Sequence, residues 1–357
     1  MKYKFLFALL IPALLIFMIT DKEYKNSPDF LSNPKLSTTP PSPNWKGTPL
    51  DENGKFTNIY HPFESSLKDV LKWKTSKNPQ KEEKKTDLRT LPVAEEIFDF
   101  DQNEDFLIWL GHASYLIRLN GEVYITDPLL MDNMFLKRKS ELPFPLESFP
   151  KIDYLLLSHN HRDHCDKNSI KWLVKENPRL KIMTGLGMEN VIDSWLDDQE
   201  VQEAGWYQSF DLNEANPKIH FVPSRHWSKR GLSDDNKSLW GGFYIETKEK
   251  SIYFMGDSGH GEHFEDIKNT FGSPDYCLMG LGAFKPEWFM HQAHISPTDA
   301  IEAFNTLGGK HFIPMHYGTF DLSDEPIMEP WDIIDTNKNL INGELIEPLL
   351  GANLFMD

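Results

Sequence analysis

From residue 106 onward the apolar positions fall into short runs set between turn residues. Runs of that length, rich in β-branched and aromatic side chains, predict strands. In "FLIWLGHASYLIRLNGEVYITDP" three strands are expected: Phe106 to Leu110, then Tyr115 to Leu119 and Val123 to Thr126, the last two as a hairpin about Asn120-Gly121. Tyr154 to Leu157 is apolar without interruption and predicts a strand buried on both faces. Helical spacing follows over Ser169 to Glu176, stopped before Pro178, then a strand over Lys181 to Thr184 and a helix over Glu189 to Leu196. The second half repeats the rhythm. Strands are expected over Ile219 to Val222, Gly242 to Glu246, Ser251 to Met255, Tyr276 to Leu281 and His311 to Met315. A helix over Thr298 to Leu307 is introduced by Ser296 as cap and Pro297 in its first turn. Two successions of strands with interleaved helices imply an α/β architecture of two sheets packed face to face, helices outside.

The N-terminal third reads differently. Residues 1–20, "MKYKFLFALLIPALLIFMIT", are apolar on every face behind Lys2 and Lys4. Such a run predicts a signal anchor, or else a cleaved signal peptide. As a helix, Phe5 to Thr20 would span ~24 Å, a little less than a ~30 Å hydrocarbon core. The lysines would stay cytoplasmic, placing the rest of the chain on the extracytoplasmic side of that membrane, or in the periplasm or medium after cleavage. Residues 21–50 are polar and proline-rich and read as a tether. Residues 51–105 form a charged extension expected to pack on the core, with one helix from Glu64 to Trp73; residues 106–357 make the main domain.

Charge narrows the partners. The chain of 357 residues carries a formal net charge of −17, which argues against nucleic acid, because phosphate contacts need a surplus of Lys and Arg. Two cysteines, Cys165 and Cys277, stand far apart, so no disulfide framework is expected; each is read as a small buried hydrophobe.

The chemistry concentrates where the apolar strand at 154–157 ends. His159, His161, Asp163 and His164 form HxHxDH on the loop that follows it. Successive side chains of an extended segment alternate sides, so His159 and His161 share one side and can take one metal. Asp163 and His164 lie past the turn and can serve a neighbouring one. Further ligands must come from other strand ends. His226 follows "IHFVPS", Asp257 follows "SIYFMG", and His316 follows "HFIPM". Glycines flanking Asp257 allow close backbone approach, and its two oxygens can bridge two cations. Histidines and aspartates without thiolate favour two divalent ions, with zinc first and manganese or iron as alternatives. His112, in "LGHAS", is expected to orient a ligand from behind. His294, in "QAHISP", is placed near substrate or leaving group, and the remaining histidines are read as structural.

At this point the motifs resemble a family. HxHxDH, a lone His, a lone GD and a late His are similar to the metallo-β-lactamase superfamily. The words "WLGHAS", "TDP", "LLLSHNHRDHCDKNSI", "FVPSRHWSKR", "DDNKSLWGGF", "FMGDSG", "GAFKPEWFM", "HISPTDA" and "MHYGTFDLSDEP" resemble its branch of N-acyl-phosphatidylethanolamine-hydrolysing phospholipases D, as does "GKFTN" upstream. The resemblance implies a four-layer αβ/βα sandwich with a dinuclear site along one edge. One ion would be held by His159, His161, His226 and Asp257, the other by Asp163, His164, Asp257 and His316, with His294 near the substrate phosphate. Arg162 stands where the best-known members carry an aromatic, and Tyr317 replaces a tryptophan.

The implied reaction is phospholipase D-type phosphodiester hydrolysis, releasing phosphatidic acid and an N-acylethanolamine. Two ions lower the pKa of a shared water toward ~7, and the resulting hydroxide attacks phosphorus. Asp163 could also accept the water's proton, and His294 could steady the phosphate. Phe284, Trp288, Phe289 and Met290, with Tyr317, are the expected lipid contacts, on a loop able to meet a membrane surface. Arg118, Arg225, Lys229, Arg230 and Lys285 could meet anionic headgroups. An oligomer is compatible with this reading. Two alternatives remain: a lactonase or other carbonyl hydrolase with the same site, and a membrane-tethered, non-catalytic metal-binding module.

Overall fold

The computed structural model describes residues 29–356, except 65, 97, 135 and 214–216. The N-terminal apolar segment therefore lies outside the described residues. Among those described, no helix is long and apolar enough to cross a membrane.

Two sheets carry the fold. The first has six strands in sequence order: Phe106–Gly111, Ser114–Leu119, Glu122–Thr126, Tyr154–Leu157, Lys181–Gly185 and Val201–Ala204. Its first three strands are antiparallel, and the rest join in parallel. The expected hairpin turns through Asn120 and Gly121, both at positive φ (54° and 87°), which Gly tolerates without a Cβ clash and Asn better than most residues. The second sheet has eight strands, ordered Glu344–Leu345, His311–Met315, Tyr276–Gly280, Ser251–Phe254, Gly242–Glu246, Lys218–Val222, Gln208–Ser209 and Ser37–Thr38.

Alternation along the strands explains the layering. Leu107 and Trp109 join Phe221, Phe243 and Phe254 of the other sheet in one buried cluster. Phe106, Ile108 and Leu110 point the opposite way and pack with Ile170, Leu173 and Val174 of the helix Lys167–Glu176. Each such aliphatic side chain contributes roughly 1.5–3 kcal/mol when fully buried. Because both faces of the first sheet are covered, Phe106–Gly111 and Tyr154–Leu157 run without a charged residue and are buried throughout. The helix Pro297–Leu307, capped by Ser296 as expected, lies against the second sheet through Ala300, Ile301 and Phe304.

Two expectations need correction. The stretch read as a tether is bound to the core from Asp29 onward. Ser37–Thr38 pairs with Gln208–Ser209, and Asn33 exchanges hydrogen bonds with Gln208. Proline-rich composition marks a segment without its own helix or sheet; it does not stop that segment from borrowing a sheet edge. The helix expected from Glu64 begins instead at Leu67. Ser66 accepts from the Asp69 N–H while Asp69 accepts from the Ser66 N–H, a reciprocal cap that sets the start.

Strand direction positions the site. Ser251–Phe254, Tyr276–Gly280 and His311–Met315 are parallel neighbours, so their C-terminal ends lie along one edge. Asp257 and His316 follow two of those ends. Asp127, His159 and His164 follow strands of the first sheet, and the main chains of Ser158 and Gly241 join the sheets there (3.1 Å).

Candidate metal centre and active site

Seven side chains predicted from sequence converge at this edge. His159, His161, His226 and Asp257 form one group; His164, His316 and Asp163 form another, joined by His112, each group with its ligand atoms within 4.8 Å of one another. All are buried except His161 and Asp163, which are half-buried.

The hydrogen bonds dictate where the ring protons sit. Ser158 Oγ donates to Asp127 Oδ2 (2.5 Å), so it accepts from His159 Nδ1–H (2.8 Å). His226 Nδ1–H donates to the Ala293 carbonyl (2.8 Å). Both rings therefore present Nε2 as a bare lone pair. Those two nitrogens lie 2.9 and 3.0 Å from His161 Nδ1, which carries at most one proton and so satisfies at most one of them. The His161 Nε2 is buried without a partner. Buried lone pairs facing one another are costly unless a cation sits among them. The donor set, imidazole and carboxylate, suits a divalent ion.

The second group follows the same logic. His164 Nδ1–H donates to Asp127 (2.8 Å), leaving Nε2 to face His316 Nε2 (3.2 Å), Asp257 Oδ2 (3.1 Å) and Asp163 Oδ2 (3.4 Å). His316 Nε2 is 3.0 Å from Asp257 Oδ1, while Asp257 Oδ2 lies 3.9 Å from both His159 and His226 Nε2. Asp257 thus stands between the two groups with one carboxylate. Its approach depends on Gly256, whose φ is 63° and at which a Cβ would lie 2.6 Å from the Gly241 carbonyl oxygen. His112, Asp127 and His316 themselves adopt positive φ (54°, 33° and 62°), a strained backbone of the kind held at functional sites.

Electrostatics reinforce the grouping. Burial pushes His159 and His226 well below the usual imidazole range, and His161 down to about 4. Burial opposes ionisation of Asp163 and Asp257, yet His164 and His316 hold both far below ordinary carboxylates. Burial likewise disfavours charge on His164 and His316, but Asp257 and Asp163 outweigh it, raising His164 strongly and His316 to about 9. In metal-stripped protein at pH 7, then, both rings carry a proton where a cation would sit. Metal uptake at pH 7 is expected to release about two protons, and fewer as pH rises through about 9, because His316 has by then lost its own. Calorimetry in buffers of different ionisation enthalpy measures this; an uptake independent of buffer would contradict it.

Around the groups, His112 Nε2 is 3.2 Å from Asp163 Oδ2 and its ring lies 4.0 Å from that of His316. His294 stands at the rim, Nδ1 3.8 Å from Asp257 Oδ2, its ring 5.2 Å from His226 and 5.7 Å from His316. A cavity of about 510 Å3 opens beside His316 and Tyr317 and is lined by Ala283, Phe320 and Ile327, and by Lys84, Lys85 and Lys139.

The expected lipid contacts divide. Tyr317 is buried but lines that cavity. Phe284 and Met290 are buried in the core loop, because the chain folds inward on both sides of Lys285-Pro286; they do not line the cavity. Phe289 stacks on Trp73 (5.2 Å), and Trp288, 41% exposed, lies under the Lys72 ammonium at 4.0 Å. Several cations proposed for headgroups instead serve the fold. Arg118 donates to the Gln102 carbonyl, Arg225 to that of His260, Arg230 to those of Asn160 and Cys165, and Lys285 pairs with Glu329. Sequence reasoning gave no role to Asp127 or Ser158. The signal for Asp127 was present: an aspartate directly after a buried strand, in "TDP".

Paired sheets that bring buried imidazoles and carboxylates to one edge, beside an open cavity, define a metal-dependent hydrolase. The sequence profile of the beta-lactamase superfamily domain matches residues 124–317. N-acyl-phosphatidylethanolamine-hydrolyzing phospholipase D 1 of Caenorhabditis elegans is 32% identical over 332 residues, 86% of this chain and 87% of that protein. The mitochondrial N-acyl-phosphatidylethanolamine-hydrolyzing phospholipase D of Saccharomyces cerevisiae is also 32% identical, over 67% of this chain and 53% of the yeast protein. Among solved structures, isothiocyanate hydrolase from Delia radicum gut bacteria shares the fold, with a TM-score of 0.56, 17% identity, and coverage of 70% of this chain and 98% of that one. The chain belongs to the metallo-β-lactamase superfamily, in the branch of the N-acyl-phosphatidylethanolamine-hydrolysing phospholipases D.

Proposed function

We propose that this enzyme hydrolyses N-acyl-phosphatidylethanolamine-like phospholipids as a phospholipase D, using two divalent ions, zinc by preference. The observation that carries this reading is the single Asp257 carboxylate set between two groups of imidazole nitrogens. Relatives in C. elegans and yeast bear the name of that activity.

His159, His161 and His226 would hold one ion and Asp163, His164 and His316 the other, with Asp257 shared. Ions bound there would supply a water acidified toward neutral pH and would draw charge from phosphoryl oxygens. Asp163 is half-buried and hydrogen-bonded to His112, a carboxylate placed to take the water's proton. His294, at the rim, orients the phosphate or the departing oxygen. The cavity beside Tyr317 receives an apolar portion of the substrate, and the lysines in its lining would meet acidic groups of the lipid.

The helix Leu67–Thr75 supports contact with a membrane surface. Leu71 is 64% exposed next to Lys72, whose ammonium lies over Trp288, and residues 67–86 carry seven lysines against three acids in a chain of net charge −17. Such a face suits anionic phospholipid. The N-terminal apolar segment would keep the catalytic domain anchored beside that lipid, on the extracytoplasmic side.

Purified enzyme assayed on N-acyl-phosphatidylethanolamine, acyl lactones and β-lactams tests the reading. Phosphatidic acid should appear by mass spectrometry, and chelation should abolish it. Lactone turnover without lipid turnover would overturn the substrate assignment. With vesicles as substrate, Leu71→Asp should raise KM; detergent-dispersed lipid should show no such rise. An equal KM on vesicles removes the docking face.

A further inference from the structure

Residues 56–64 lie outside the stretch 124–317 matched by the superfamily profile, and they contact the His226 side of the site. Asn58 is buried. Its Nδ2 donates to the His226 carbonyl (3.1 Å), and its Oδ1 accepts from the His226 N–H (3.2 Å) and from Trp240 Nε1–H (3.0 Å). One side-chain amide thus pairs both main-chain groups of His226, as a neighbouring strand would. Further along, the relation is mirrored. Gln292 Oε1 accepts the Glu64 N–H (2.9 Å), and Gln292 Nε2 donates to the Glu64 carbonyl (3.0 Å). Gln292 precedes Ala293, whose carbonyl fixes the His226 ring, and then His294. Between the two amides Phe63 lies flat on Trp227 (5.0 Å, 2°), and Trp227 packs against the His161 ring (4.6 Å).

We infer that residues 58–64 are a splint for the His159/His161/His226 half of the site, with Asn58, Phe63 and Gln292 as positioning residues. The other half is held from elsewhere. His164 is oriented by Asp127, the His316 N–H donates to the His112 carbonyl, and the His112 N–H donates to Thr319. The two half-sites share Asp127, which reaches His159 through Ser158, but residues 58–64 brace the first and His112 and Thr319 the second. Given the two-ion reading above, on which this inference rests, the splint sets the affinity of one ion and leaves the other alone. A side chain that orients a ligand from behind characteristically governs metal affinity tenfold to a hundredfold.

The test is metal titration of full-length wild type and of Asn58→Ala, Gln292→Ala and Gln208→Ala. Cobalt(II) absorption follows each half-site, and zinc content after dialysis is measured by atomic emission. Gln208 is the comparison: it is buried, ties Asn33 and Gly205 together, and touches no site residue. Asn58→Ala should raise the Kd of one ion by roughly 10- to 100-fold and leave the other unchanged. Gln292→Ala, less buried, should weaken the same ion about fivefold. Gln208→Ala should lower Tm with both affinities intact. Should Asn58→Ala fail to fold, Gln292→Ala decides alone. Unchanged affinities in the splint variants, equal loss of both ions, or the same selective loss in Gln208→Ala would overturn the splint. A wild type that takes up a single ion refutes the two-ion reading instead, and the splint then stands or falls on whether Gln292→Ala weakens that ion.

Discussion

Replacing Asp257 by asparagine is expected to lower kcat/KM by at least ~1,000-fold and to leave the protein with less than its full complement of metal. The carboxylate lies within 3.1 Å of His164 and His316 and faces His159 and His226 across 3.9 Å. Asparagine keeps the shape, loses the charge, and turns an N–H2 group toward one of the two histidine groups. Repulsion between two neighbouring cations then goes uncompensated by a shared negative charge. Metal content after dialysis and steady-state kinetics read the two effects separately. Near-wild-type turnover with full metal would remove Asp257 from the site.

Asp127 should be nearly as sensitive, although it faces no open space. Its carboxylate receives Ser158 N–H (2.8 Å), Ser158 Oγ–H (2.5 Å) and His164 Nδ1–H (2.8 Å), and through Ser158 it fixes the His159 ring as well. One buried acid thereby sets the tautomer of a ligand in each half of the centre. Asp127→Asn should weaken metal binding by roughly 10- to 100-fold. The asparagine N–H2 would donate to His164 Nδ1, moving that ring's proton to Nε2, where the lone pair is needed. Asp127→Ala adds a folding cost of about 3–5 kcal/mol, since it strips a buried partner from charged and polar groups together. Chemical denaturation of both variants, with metal titration of Asp127→Asn, checks this. Wild-type affinity in Asp127→Asn would show that tautomer control is unimportant here.

The two substitutions probe different levels of legibility. Asp257 could be read from "GDSG" after an apolar run, because a lone carboxylate between glycines at a strand end has few structural uses. Asp127 follows a strand in the same way, yet nothing local says that it meets Ser158 and His164, which lie 31 and 37 positions further on. The apolar loop around Phe284 and Met290 shows the opposite error. Its composition suggested an exposed lipid contact, whereas burial of those two side chains depends on what packs over them.

Alternating apolar runs, the hairpin turn, the capped helix at Pro297 and the close spacing of HxHxDH are local properties. Backbone sterics and side-chain period act over a few residues, so the sequence alone determined most of the longer strands and the identity of the histidine–aspartate cluster. Tertiary structure decided which nitrogen of each ring faces the others, which buried acid holds them, and that residues 29–64 complete a sheet and clamp His226. Asn58 meets His226 across 168 positions of chain. Contacts of that span arise from closing the whole fold, and no periodicity in the sequence encodes them.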